Sequence, residues 1–154
     1  MLVVGVGNLL LGDDAAGLAV LAELESRRRV WDKAVEFLDG GTQGLGLLDR
    51  IAGHRALLIL DAVKLGAAPG TVHVLPNWNG AAARATTAHE SNVAELLQAS
   101  ALLGELPPRV TIVGIEPERV ETGIGLSAAV RAAVADAVQA AATAIKEMAG
   151  ASGL

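Results

Sequence analysis

The chain contains no cysteine among its 154 residues. Disulfides, thiolate metal sites and a cysteine nucleophile are therefore excluded. Aromatic residues are almost as scarce, with two Trp, one Phe and no Tyr. Val, Leu, Ile and Ala must build the core, and apolar residues at 52% of the chain are ample for it. Basic residues are outnumbered, 12 Lys and Arg against 17 Asp and Glu, which leaves a net charge of -5 and a pI near 5.1. Nucleic acids and anionic membranes are bound by clustered Lys and Arg, so neither is an expected partner. The run Arg27 to Arg29 closes an expected helix, where it complements the dipole and faces solvent. Long hydrophobic runs are missing too. The most continuous one, Ala56 to Leu60, is far too short to cross a bilayer. The apolar N-terminus lacks a basic n-region and a small-residue cleavage site, so it does not read as a signal peptide. A cytoplasmic protein of one domain, residues 1–154 with the last few frayed, is the expectation.

What is present is organised around Gly5 to Gly17. An apolar run of strand length, Leu2 to Val6, leads into it, and a helix carrying Leu18, Leu21 and Leu24 leads out. Asp13 and Asp14 lie in the turn between them, with Asp13 placed to cap that helix, which ends near Arg28. Further strands are expected at Ala34 to Leu38, Ala56 to Leu60, Thr71 to Leu75 and Val110 to Ile115. The turn Ala67-Ala68-Pro69-Gly70 is tight, which predicts that Thr71 to Leu75 runs antiparallel to the third strand. Helices are expected over Gln43 to Ala52, Asn92 to Leu103 and from Ser127 to about Ala149, with Ser127 as N-cap. Strands alternating with helices predict an α/β protein, three layers (α/β/α) around a five-stranded mixed, mostly parallel sheet.

Gly5 and Gly7 begin a dinucleotide-type glycine pattern, but Leu10 stands where the third glycine belongs. Two aspartates in the loop would also repel a pyrophosphate. The acids themselves are more informative. Asp14 follows the first strand, Asp39 ends the second and Asp61 ends the third, so all three reach the same edge of a parallel sheet. Asp61 directly follows Leu57-Leu58-Ile59-Leu60, so its carboxylate must leave a dry core into a cleft or find partners there. Of the three histidines, His54 precedes the third strand and points to the opposite edge, and His73 alternates with Val72 and Val74 as a solvent-facing strand residue. His89 ends a long loop before a helix and is free to reach the carboxyl edge. The sequence leaves open whether it is a ligand, a base or a structural residue. Two carboxylates and one imidazole suit a borderline divalent ion such as zinc, nickel, cobalt or manganese, in a site with open positions.

These residues, in order, resemble the hydrogenase maturation proteases. The resemblance rests on Gly5-Val6-Gly7-Asn8, Gly12-Asp13-Asp14-Ala15-Ala16-Gly17, Asp39-Gly40-Gly41-Thr42, Asp61-Ala62 with Pro69-Gly70-Thr71, Thr87-Ala88-His89, Val113-Gly114-Ile115-Glu116-Pro117 and Gly125-Leu126-Ser127. It implies a twisted five-stranded mixed sheet between helices. It also implies an endopeptidase, aspartic-type by family classification, that removes the C-terminal extension of a nickel–iron hydrogenase large-subunit precursor after nickel insertion. The family's metal ligands fall on Asp14, Asp61 and His89, which would complete the coordination of nickel carried by the substrate. Such a site would also accept zinc or cadmium. Asp39, Gly40, Gly41 and Thr42 become a substrate-peptide or structural loop. Ala15 stands where many relatives have Gly. The alternatives are a non-cleaving maturation factor that binds nickel or the large subunit, and a general-base role for Asp14 or Asp61.

Overall fold

The computed structural model describes residues 1–78, 86–87 and 92–150. The strands are β1 (Leu2–Val6), β2 (Glu36–Gly41), β3 (Ala56–Lys64), β4 (Val72–Leu75), β5 (Thr86–Thr87) and β6 (Arg109–Ile115). The helices are α1 (Ala16–Ser26), α2 (Leu48–Ile51), α3 (Asn92–Leu102) and α4 (Ala128–Gly150). Short 3-10 turns at Gly12–Ala15, Arg28–Val30 and Gly44–Leu47 complete the order.

Five strands form one sheet in the order β2-β1-β3-β6-β4. β2, β1, β3 and β6 are mutually parallel and β4 is antiparallel, so the sheet is mixed and mostly parallel as expected. β4 pairs with β6 and not with β3. The turn at Pro69-Gly70 therefore does not close a β3–β4 hairpin. Gly70 N–H instead donates to the Glu116 carbonyl (2.8 Å), which carries the chain past β3 to the outer side of β6. β5 adds two antiparallel pairs to the end of β3, Val63 with Thr87 and Lys64 with Thr86.

Period-two alternation divides the core. Val3, Leu58, Leu60, Ala62, Val113 and Ile115 face α1 and α4. Leu2, Val4, Leu57, Ile59, Val63, Val110 and Ile112 face the turn at Leu47, α2 and α3. α4 is apolar because it seals the first face. Its buried residues, from Val130 and Ala133 through Ala137, Ala141 and Ala144 to Met148, recur at helical spacing. By length and composition alone it is the one described helix able to cross a membrane. With few aromatics, one tilted pair, Trp31 and Phe37, closes the lower edge, and Trp31 Nε1 donates to the Leu24 carbonyl (3.1 Å).

The expected elements shift at their ends. β2 starts at Glu36 and continues through Asp39 to Gly41. β3 does not stop at Leu60 but runs on to Lys64, because β6 and then β5 supply partners for the extension. The Gln43 to Ala52 segment is a 3-10 turn followed by one turn of α-helix.

Candidate functional site

The chain passes from β1 outward to β2, then crosses back to β3 on the other side of β1. The two connections leave the sheet on opposite faces, and a crevice opens between the carboxyl ends of β1 and β3, the usual ligand position in such sheets. A cleft of about 240 Å³ lies there. It is lined by Val6, Gly7, Asn8 and Asp14 from β1 and the loop after it, by Gly41, Thr42, Gly44 and Leu47 from the end of β2 and the turn that follows, and by Asp61, Val93 and Leu96.

Asp61 belongs to the body of β3, where it pairs in register with Gly114. Alternation places it on the same face as Leu57 and Ile59, and it is 5% exposed. Its Oδ1 accepts a hydrogen bond from Ala62 N–H (2.8 Å). Burial, reinforced by the charge of Asp14, pushes its carboxyl well above the ordinary aspartate range. Asp14 is equally buried. Its Oδ2 accepts Asn8 N–H at 2.7 Å, so it folds the first loop back over the cleft. The structure thus brings Asp14 and Asp61 together. Two buried carboxylates lining one cleft form a site of negative potential, which suits a cation.

Glycine makes this approach possible at two places. A Cβ on Gly7 would collide with the Asp14 carbonyl, and one on Gly17 would collide with the Leu60 carbonyl. Gly7 (φ 146°) therefore serves the carboxylate loop rather than a phosphate, and Gly17 lets α1 press against β3 beside Asp61.

Asp13 does not cap α1. Its side chain crosses to the loop before α4, where Oδ2 accepts Glu118 N–H (2.9 Å), Arg119 N–H (3.0 Å) and Ser127 Oγ–H (2.8 Å), and Oδ1 accepts Ser127 N–H (2.7 Å). Burial alone would raise its carboxyl, but these donors outweigh burial and hold it below the usual value. Ser127 is the expected cap of α4, accepting Val130 N–H (3.4 Å).

His89 lies outside the described residues. Among those described, no three or more His, Cys, Asp or Glu side chains gather as a metal cluster. Asp39 is exposed, its Oδ1 accepts Gly41 N–H (3.0 Å), and it is not among the residues that line the cleft. Gly40 packs under Leu47 and Val4, while Gly41 and Thr42 line the cleft. Gly7 N–H donates to the Gly41 carbonyl (3.0 Å), fastening this turn to the first loop. His54 sits at the opposite edge, as expected.

His73 is not solvent-facing. Its Nε2 donates to Glu116 Oε2 (2.9 Å), and Glu116, 3% exposed, also accepts Leu65 N–H (2.8 Å) and Gly66 N–H (2.8 Å). Burial would raise the Glu116 carboxyl, but these hydrogen bonds hold it below the usual glutamate range. Sequence reasoning gave Glu116 no role. The signal was available, since it is an acid directly after the apolar run Val110 to Ile115.

Fold and cleft together define an α/β protein with paired acids at a sheet switch point. The family model for hydrogenase maturation proteases matches residues 18–144, and the chain belongs to that family of endopeptidases. It is 39% identical over 150 residues to the hydrogenase 2 maturation protease of Escherichia coli, covering 96% of this chain and 91% of that one. It is 34% identical over 126 residues to the hydrogenase expression/formation protein HupD of Thiocapsa roseopersicina, of which it spans 56%. Among solved structures, the hydrogenase maturating endopeptidase HybD from E. coli superposes with a TM-score of 0.80 at 35% identity, covering 95% of this chain and 91% of that one. The [NiFe] hydrogenase maturation protease HybD from Thermococcus kodakarensis gives a TM-score of 0.75 at 26% identity, covering 92% and 96%.

Proposed function

We propose that this endopeptidase removes the C-terminal extension of a nickel–iron hydrogenase large-subunit precursor after the nickel has been inserted, and that Asp14, Asp61 and His89 recognise the metal. The observation that carries this reading is the meeting of Asp14 and Asp61, both buried, in one cleft at the switch point of the sheet. β5 supports the third ligand. Thr87 pairs with Val63, two residues past Asp61, and His89 follows Thr87 by two positions in the sequence.

On this reading the nickel arrives as part of the substrate, held by the precursor's own side chains. The two carboxylates and the imidazole fill its remaining positions, and negative potential in the cleft attracts it. The ion is then both a recognition signal and a positioning device, because its capture fixes the tail that carries the scissile bond. Gly41 and Thr42, which also line the cleft, are the segment along which that tail runs. On this reading the reaction takes place in the cytoplasm.

The test is a mass measurement on nickel-loaded precursor. Wild-type protein is expected to remove a C-terminal fragment. Asp61→Ala and His89→Ala are expected to fold, by circular dichroism, and to leave the precursor intact. A folded His89→Ala protein with full activity would remove that residue from the site.

A further inference from the structure

We propose that Leu9, Leu10 and Ile124 form a docking patch for the folded body of the client protein whose tail enters the cleft. This rests on the function proposed above and adds a second contact to it.

Leu9 and Leu10 occupy the two central positions of a turn closed by Leu11 N–H to the Asn8 carbonyl (3.1 Å). Such positions ordinarily hold Gly, Pro, Asn, Asp or Ser. Here two leucines stand in water, 62% and 60% exposed. Ile124 is 87% exposed on the loop alongside. Gly123 N–H donates to the Leu10 carbonyl (2.9 Å) and Gly12 N–H to the Gly123 carbonyl (2.9 Å), which stitches the two loops together.

The leucines are held out rather than left loose. Leu10 N–H donates to Asn8 Oδ1 (2.9 Å), and Asn8 N–H donates to Asp14 Oδ2. The second loop is tied to Asp13 through Glu118 and Arg119. A rigid apolar projection is the form of a preorganised contact, because little entropy remains to be lost on binding. Its place selects the partner. Asn8 lines the cleft, so the patch begins one residue from the cleft mouth.

A tail lying in the cleft brings its own protein body against that mouth. Three such side chains present an area of the order of a few hundred Å². That is below the roughly 800 Å² per partner of a free-standing interface, which argues against a second copy of this chain. For a body already tethered by its tail the same area is sufficient, since the second contact is intramolecular. A membrane is disfavoured by net charge -5 and by Glu118 and Glu121 in the loop that carries Ile124, where Arg119 and Arg131, which reaches the Leu126 carbonyl (3.5 Å), leave no basic excess. The matching surface is therefore an aliphatic or aromatic patch on the client beside the root of its tail.

The experiment compares wild type with the triple variant Leu9→Ser, Leu10→Ser, Ile124→Ser, and with Ile124→Glu, whose exposed position protects folding. Calorimetric titration with nickel-loaded precursor is read beside cleavage kinetics. The expected result is a Kd and KM raised at least tenfold with kcat within twofold of wild type. Unchanged Kd and KM would overturn the proposal, as would a loss confined to kcat. A variant that dissolves a wild-type dimer in sedimentation, or that abolishes wild-type flotation with anionic vesicles, would assign the patch to those occupants instead. If wild-type protein binds the precursor but does not cut it, the proposed cleavage fails while the titration still decides the patch.

Discussion

Asp13 and Ser127 stand 114 residues apart and are joined twice, by Ser127 N–H to Oδ1 at 2.7 Å and by Ser127 Oγ–H to Oδ2 at 2.8 Å. Its neighbour Asp14 turns the other way, into the cleft. Adjacent acids in one turn thus serve separate ends, one fastening the first loop to the start of α4 and one lining the cleft.

This separation predicts different losses. Asp13→Asn puts an amide NH2 among four donors and removes charge-assisted bonds, and is expected to cost about 2–4 kcal/mol of stability. Asp14→Asn is expected to leave the melting temperature near wild type and to abolish processing. Thermal melts read beside a cleavage assay separate the two; an Asp13→Asn protein with wild-type stability would contradict the assignment.

Asp61 predicts the opposite sign. Its carboxyl is buried beside another acid with a single donor, Ala62 N–H, among the described hydrogen bonds, which destabilises the metal-free fold at neutral pH. Asp61→Asn is expected to raise the melting temperature of the metal-free protein while processing is lost. Gain of stability with loss of activity is what a residue kept for its chemistry should show.

Glu116 carries a pH dependence. Its folded value lies below the ordinary glutamate value of 4.5. Such a group contributes stability that is fully present above 4.5 and is lost as the pH falls through the lower folded value. Glu116→Gln is therefore expected to melt earlier than wild type at pH 7. The gap should narrow as the pH falls below about 4.5. Melts across that range check it, and a gap that widens in acid would reverse the sign.

Much of this was legible in the sequence. Apolar runs of strand length and the helical spacing of Val130 to Met148 define the layers, and acids after the runs at Val6 and Leu60 mark the carboxyl edge. Long-range partners were not legible. Nothing local to Asp13 shows that its donors lie beyond residue 117, and a helix cap is the nearer use for an acid in that turn. Nothing in Thr71 to Leu75 says which strand it joins, because the turn before it is short enough for a hairpin, yet the backbone of Glu116 binds both Gly70 and Thr71. His73 looked solvent-facing for the same reason, since alternation gives a face but not what covers it.

The central claim is that the cleft between Asp14 and Asp61 reads the metal of its substrate. The most direct measurement is the mass of a large-subunit precursor after incubation with this protein, in matched nickel-loaded and rigorously nickel-free forms. The account predicts loss of the C-terminal extension from the loaded form alone. Equal cleavage of the nickel-free form would contradict it.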